Sequence, residues 1–177
     1  MTADLLGDAV TSRLGVGGHQ SARMDEETWL TPPHILLALG AFDLDPCAPA
    51  IRPWDMAAKH YSRADDGLTQ PWDGRVWLNP PYGAATANWM RRLAAHGNGV
   101  ALIFARTETA AWTEHVWPVA DAVLFLAKRL TFHRVDGKPA QHNGGAPSAL
   151  IAYGSNNVDA LRLSGLEGTL VAGWHRV

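Results

Sequence analysis

The 177-residue chain is 47% hydrophobic and 18% charged, which suits one domain with a sizeable core. Its 15 Lys and Arg stand against 17 Asp and Glu, and a formal net charge of −2 excludes a protein that holds nucleic acid by bulk charge alone. Cys47 is the only cysteine, which removes an internal disulfide and any multi-cysteine zinc site.

A lone cysteine suits a reducing cytoplasm. No apolar run is long enough to span a membrane, and the first residues lack the basic-then-apolar pattern of a signal peptide. The expectation is a cytoplasmic protein with no membrane partner. The eight histidines include no HxxxH or HExxH arrangement, so no metal site is expected.

Residues 1–28, with the stretch Gly15-Val16-Gly17-Gly18-His19, read as an irregular arm. Thr31 suits a helix cap, Pro32 suits the first turn, and Ile35, Leu36 and Leu39 form an apolar stripe that Gly40 ends. Ala41 to Asp45 reads as a strand ending in Asp45-Pro46-Cys47-Ala48. Residues 49–75 are broken by Pro and Gly, with a short helix expected near Asp55 to Lys59. Arg75 to Leu78 is a second strand, ending in Asn79-Pro80-Pro81-Tyr82-Gly83. A helix over Ala85 to Ala95 follows, then an apolar strand over Val100 to Ala105. A helix from Thr107 to Trp117 and strands at Ala122–Ala127, Leu130–Arg134 and Ser148–Tyr153 come next. A helix near Val158–Leu163 and a strand near Leu170–Trp174 close the chain. Strand–helix alternation followed by strands predicts an α/β sheet, mostly parallel with an antiparallel end.

Open α/β sheets bind ligands at the carboxyl ends of their strands. Asn79-Pro80-Pro81-Tyr82 is the specific signal there. Two prolines cannot continue a ladder, so they set a stiff turn. The Asn79 amide oxygen and the Pro80 carbonyl can then both accept hydrogen bonds from one planar amino group, with the Tyr82 ring beside them.

Asn-Pro-Pro-Tyr after a strand resembles the catalytic motif of amino-group methyltransferases that use S-adenosylmethionine. The ordered series is Trp29-Leu30-Thr31-Pro32, Asp43-Leu44-Asp45-Pro46, Asp65-Asp66-Gly67-Leu68, Asn79 to Tyr82, Arg106-Thr107-Glu108-Thr109 and Arg129-Leu130-Thr131-Phe132. It is similar to the phage-type DNA N6-adenine methyltransferases (Dam-like), over roughly residues 28–153. The resemblance implies a small Rossmann-like sheet and transfer of a methyl group to the exocyclic nitrogen of a flipped adenine in double-stranded DNA. It implies Asn79, Pro80, Pro81 and Tyr82 as the catalytic set. S-adenosylmethionine is the implied cofactor, with Thr31, Pro32, Asp45, Pro46, Cys47, Asp66 and Leu68 around it. A phage or prophage setting follows from the resemblance alone, and with it a bacterial host cytoplasm.

One departure matters. Related enzymes place an acidic ribose ligand after a second strand, but only 34 positions separate Asp45 from Asn79. Two complete strand–helix units do not fit there, so the sheet is expected to be shortened and the ribose ligand is unassigned.

Phe132, Arg106, Lys128, Arg129, Arg134 and Lys138 are the candidates for DNA or target-base contact, and the loop Val135–Pro147, with His142 and Asn143, for groove contact. Blander readings stand beside these: Thr31 as a cap only, Asp66 as a turn residue, Phe132 as core, Arg106 as an ion-pair partner of Glu108, the basic stretch as a solvated edge. Residues 29–177 are expected to be one catalytic domain without a separate target-recognition domain, acting as a monomer or weak homodimer. The alternatives are cytosine-N4, RNA-adenine or protein-glutamine N-methylation, or a DNA-binding regulator without turnover. The recognised DNA sequence is not legible.

Overall fold

A computed structural model describes residues 28–174. The expected arm over 1–28 therefore lies, but for Thr28, outside the described residues. Helix α1 spans Pro33–Leu39 and buries Ile35 and Leu39. Gly40 ends it with φ 81°, donating its N–H to the Leu36 carbonyl. Thr31 does not cap it: Pro32 holds the cap position, no side chain caps the helix, and Thr31 is wholly buried instead.

Strand β1 is only Leu44–Asp45, cut short by Pro46. The helix expected over Asp55 to Lys59 is absent. His60 explains the difference: its Nε2 accepts the N–H groups of Met56 and Ala57, both at 3.3 Å, and holds the chain in a bend. A second short strand, β2 at Lys59–His60, follows that bend and pairs parallel to β1. Strand β3 spans Val76–Leu78, helix α2 Thr86–His96 and strand β4 Gly99–Phe104. Helix α3 covers Ala110–His115, shorter than expected, and strand β5 Ala122–Leu126. Strand β6 is Ser148–Tyr153, helix α4 Ser155–Leu163 and strand β7 Gly168–Ala172.

The strands form one mixed sheet in the order β2-β1-β3-β4-β6-β5-β7. The pairings among β2, β1, β3 and β4 are parallel, and those of β6 with β4 and β5, and of β5 with β7, are antiparallel. Five strands therefore run one way, and β6 and β7 run against them. Between Asp45 and Asn79 the chain forms no helix and, before β3, only the two-residue strand β2.

The expected strand over Leu130 to Arg134 is not one. Both edges of β5 are already taken by β6 and β7. The segment instead makes isolated bridges through His133, to Leu30 and to Pro139. Residues 135–147 fold back on it: Ala140 N–H donates to the Phe132 carbonyl and Gly144 N–H to the Leu130 carbonyl.

Alternation along the strands builds two apolar layers. Val76, Leu78, Ala101, Ile103, Val123 and Ile151 face α2 and α3, where Trp89, Met90, Leu93 and Trp112 meet them. Trp77, Val100, Leu102, Leu124 and Leu150 face α1 and α4. An open sheet covered on both faces leaves its backbone accessible only at strand ends and along the two edge strands, here β2 and β7. Among the described residues no helix is long and apolar enough to cross a membrane.

Candidate active site

Strand order reverses between β1 and β3: the chain steps outward from β1 to β2, then back across β1 to β3. A crevice opens at the carboxyl ends of strands at such a switch point. Asp45 ends β1, and Asn79 follows the last residue of β3. The two ends are tied together. Cys47 N–H donates to Asp45 Oδ1 at 3.0 Å, and the Cys47 thiol donates to the Asn79 main-chain carbonyl at 3.2 Å. Cys47 is thus a structural link between the two motifs. Burial and the neighbouring Asp45 carboxylate push its thiol pKa up, which keeps it a donor and not a nucleophile.

Asp45 is 2% exposed, and its carboxyl pKa is pushed up to about 7 by burial, against the lowering effect of its bond from Cys47. Such a group favours a cation beside it. Asp66 has φ 51°, a left-handed conformation that Asp tolerates. The next residue, Gly67, packs directly on the Pro46 carbonyl, where a Cβ has no room. Asp66 and Leu68 are thereby held beside the Asp45–Cys47 turn. Leu68 packs with Cys47 in one apolar layer, and the Arg92 guanidinium donates to the Leu68 carbonyl. Trp72 Nε1 donates to the Gly67 carbonyl at 2.8 Å, fixing the far side of the turn.

The Asn79 side chain is oriented on both sides. Its Nδ2 donates to the Trp29 carbonyl at 3.0 Å. The Tyr82 hydroxyl donates to its Oδ1 over a long 3.4 Å. Burial pushes the Tyr82 phenol well above its usual range, so it stays protonated. The Pro81 carbonyl is taken by the Thr86 hydroxyl at 2.9 Å. Pro80 is buried between Asn79 and this bond.

Phe104, the last residue of β4, was not singled out in the sequence. Its ring stacks on Tyr82 with centroids 4.1 Å apart and planes 20° apart. Phe132 meets Tyr82 edge-on at 6.2 Å. Phe132 is 4% exposed, so the core reading of this residue and its place beside Tyr82 both hold. Gly144 closes the group: a Cβ there would lie 3.2 Å from the Phe132 ring and 3.4 Å from that of Phe104. The only sequence signal for Phe104 is its position ending an apolar strand two residues before Arg106.

The basic candidates divide. The Arg106 guanidinium lies 6.0 Å from the Phe104 ring centroid, next to the aromatic group. Arg129 is exposed and Arg134 half-buried, and both flank the segment that carries Phe132. Lys128 pairs with Glu167 at 2.8 Å, and Lys138 lies 3.8 Å from Asp136. The local excess of charge in the sequence is thus partly neutralised by an acid more than thirty positions away. In the Val135–Pro147 loop, Asn143 accepts the Thr131 hydroxyl at 2.6 Å, and His142 is exposed.

A family model described as DNA N-6-adenine-methyltransferase (Dam) matches residues 19–160, well over half of the chain. The chain belongs to this family. The match covers the ends of β1, β3 and β4 and the segment from Leu130 to Ser148, and stops short of β7. No curated protein and no solved structure matches the chain. At the level of the family, the chemistry is methylation of adenine N6.

Proposed function

We propose that the crevice between β1 and β3 binds S-adenosylmethionine and one extruded adenine of DNA, and that the chain transfers the methyl group to the adenine N6 nitrogen. The observation that carries this reading is the tie between Asp45 and Asn79 through Cys47, which sets a buried carboxylate beside a fixed amide acceptor. The sheet order, with β6 reversed beside β4, fits a Rossmann-like methyltransferase sheet shortened after its first strand.

The residues present fit the cofactor. Thr31 Oγ1 is buried with no hydrogen-bond partner among the described residues, an open valence next to Pro32. Asp45 suits the positive charge of a sulfonium. Pro46 and Cys47 form the turn below, and Asp66 and Leu68 are held on the same side by Gly67. The bound cofactor supplies an electrophilic methyl carried by a good leaving group.

The protein's own residues handle the amino group. The N6 lone pair of adenine is delocalised into its ring, which makes the nitrogen a poor nucleophile. Asn79 Oδ1 and the Pro80 carbonyl accept its two N–H bonds and favour a pyramidal nitrogen, which is stabilisation by preorganised dipoles. The long bond from Tyr82 to Asn79 Oδ1 is weak enough for the amino group to displace it. Asn79 is too weak a base to keep the proton that N6 loses on methylation, so that proton passes on to solvent water. Tyr82, held by Phe104, is the platform for the base, and Phe132 bounds it edge-on. Arg106, Lys128, Arg129, Arg134 and Lys138 form the edge that meets phosphate.

Incubation with S-adenosylmethionine and varied duplex DNA, followed by nucleoside analysis, tests this. N6-methyladenine should form with the native chain and not with Asn79→Ala. Its absence on every substrate, or N4-methylcytosine in its place, would overturn the reading.

A further inference from the structure

We infer that the main-chain carbonyl of Trp29 is a positioning group for catalysis: it fixes which way round the Asn79 amide sits and commits position 79 of this chain to an amide. The inference rests on the assignment of Asn79 as acceptor for the target amino group.

A carbonyl oxygen only accepts hydrogen bonds, so the Asn79 atom facing Trp29 is the NH2 group, 3.0 Å away. The oxygen is then left facing Tyr82 and the crevice. The carbonyl is itself immobilised. Leu30, the next residue, is wholly buried, and its N–H and C=O pair with the His133 carbonyl and N–H at 2.8 and 3.0 Å. The Asn79 backbone is fixed as well, because its main-chain carbonyl accepts the Cys47 thiol. The Trp29 carbonyl, anchored through the Leu30–His133 bridge, therefore holds the side-chain amide in one flip state, while Cys47 holds the backbone that carries it. The bond to Trp29 is made before substrate arrives, so only the weak contact from the Tyr82 hydroxyl has to give way when the amino group binds.

Aspartate is the isosteric alternative. An ionised Asp at 79 would set a carboxylate oxygen against the Trp29 carbonyl, two acceptors with no proton between them. A protonated Asp would restore the pattern, its O–H donating to Trp29 and its C=O facing the crevice. The variant Asn79→Asp is therefore expected to work only in its acid form. The charged and titratable groups around the position are Asp45 and Cys47 from the β1 turn, Tyr82 in its own loop, Arg106 beyond Phe104, and His133 across the Leu30 bridge. All are present in the native chain too, so the ratio of variant to native isolates position 79.

The experiment measures single-turnover methylation by the native chain and by Asn79→Asp from pH 5.5 to 8.5. The variant should be at least about tenfold slower at pH 8, and its rate relative to native should rise by about tenfold per pH unit towards acid until the Asp is protonated. Asn79→Ala should show no such rise. Thermal unfolding supplies a readout independent of turnover. Because folding raises the pKa of the Asp at 79 above its unfolded value, the variant should match the native Tm near pH 4 and fall behind as pH climbs. A pH-independent Tm difference together with parallel rate profiles would overturn the role of Trp29. A silent native enzyme whose Asp variant still shows the pH-dependent Tm loss would overturn the proposed activity and leave the carbonyl–amide clamp standing.

Discussion

The two halves of the sheet are built on opposite plans. On one side, β6 is six residues, all buried, and pairs along its whole length with β4 and for four residues with β5. On the other, β1 and β2 have two residues each and β3 three. Apart from Thr31 and Pro32, which precede α1, every proposed cofactor or acceptor residue lies in or just after a strand of the second half or between its strands. The short strands are short because of the residues that end them: Pro46 stops β1, and Pro80 and Pro81 end the β3 side. A proline cannot donate to a ladder, so the backbone leaves the sheet with polar groups unspent. The long half supplies rigidity, and the interrupted half supplies free hydrogen-bonding groups.

Two substitutions separate those roles. Asn79→Ala should lower the methylation rate by about 10²–10³, the usual cost of removing one preorganised polar group from a reacting centre. Its Tm should stay close to native, because the side chain touches the fold through one full hydrogen bond, to the Trp29 carbonyl, and one long one, from the Tyr82 hydroxyl. Ile151→Ala should do the reverse. Ile151 is fully buried between Ala101 and Val123, and its truncation should cost about 2–5 kcal/mol of stability. For a chain of this size each kcal/mol lowers Tm by roughly 2–4 °C. Turnover at low temperature should remain near native. A Tm collapse from Asn79→Ala, or a rate collapse from Ile151→Ala in the cold, would break the division.

Asp45 ends β1 inside the interrupted half, and pH reads its position. Its folded pKa of about 7 lies above the unfolded value near 3.8. A carboxyl raised on folding destabilises once ionised. Its contribution is neutral below about pH 4, becomes unfavourable as pH climbs towards 7, and is constant beyond. Asp45→Asn keeps an oxygen for the Cys47 N–H and removes the ionisation. The variant should gain Tm on the native chain progressively from pH 5 to pH 8. Affinity of the native chain for the sulfonium cofactor should strengthen over the same range, because a cation favours the ionised form. Parallel Tm curves for native and variant would show that the carboxylate is solvated instead.

Much of this was legible in the sequence, and the parts that were not have a common cause. Asn79-Pro80-Pro81-Tyr82 declares itself because local chemistry, two prolines after a strand, dictates the turn. The deficit between Asp45 and Asn79 follows from chain length alone. Phe104 behind Tyr82, the Trp29 carbonyl against Asn79, and Cys47 as a link between strand ends depend on segments that are distant in sequence. The expected helix at Asp55–Lys59 fell to a single His60 ring, and the expected strand at Leu130–Arg134 to edges of β5 already filled. A propensity for structure was present in both places, and a tertiary contact outweighed it.

Gly67→Ala addresses the same contrast on a smaller scale. Only the absent Cβ lets residue 67 lie on the Pro46 carbonyl. Alanine should force the Asp66–Leu68 turn away from β1 at a cost of about 1–3 kcal/mol, with weaker cofactor binding by calorimetry. An equal substitution at Gly97, where a Cβ meets nothing but φ is 73°, should alter stability and leave cofactor affinity unchanged.

The smallest effect concerns the long half, which the division above leaves without chemistry. Lys128 follows β5 and pairs with Glu167 just before β7, both ends largely exposed. Exposed ion pairs hold little energy, so a DNA phosphate can compete for the lysine. If Lys128 meets the DNA backbone, Lys128→Ala should reduce the slope of log affinity against log salt by about 0.9, the share of one phosphate contact. Glu167→Gln should leave that slope intact and tighten binding slightly by freeing the lysine. An unchanged slope in Lys128→Ala would assign the lysine to its partner on the β7 side, and would confine DNA contact to the interrupted half and the segment carrying Phe132.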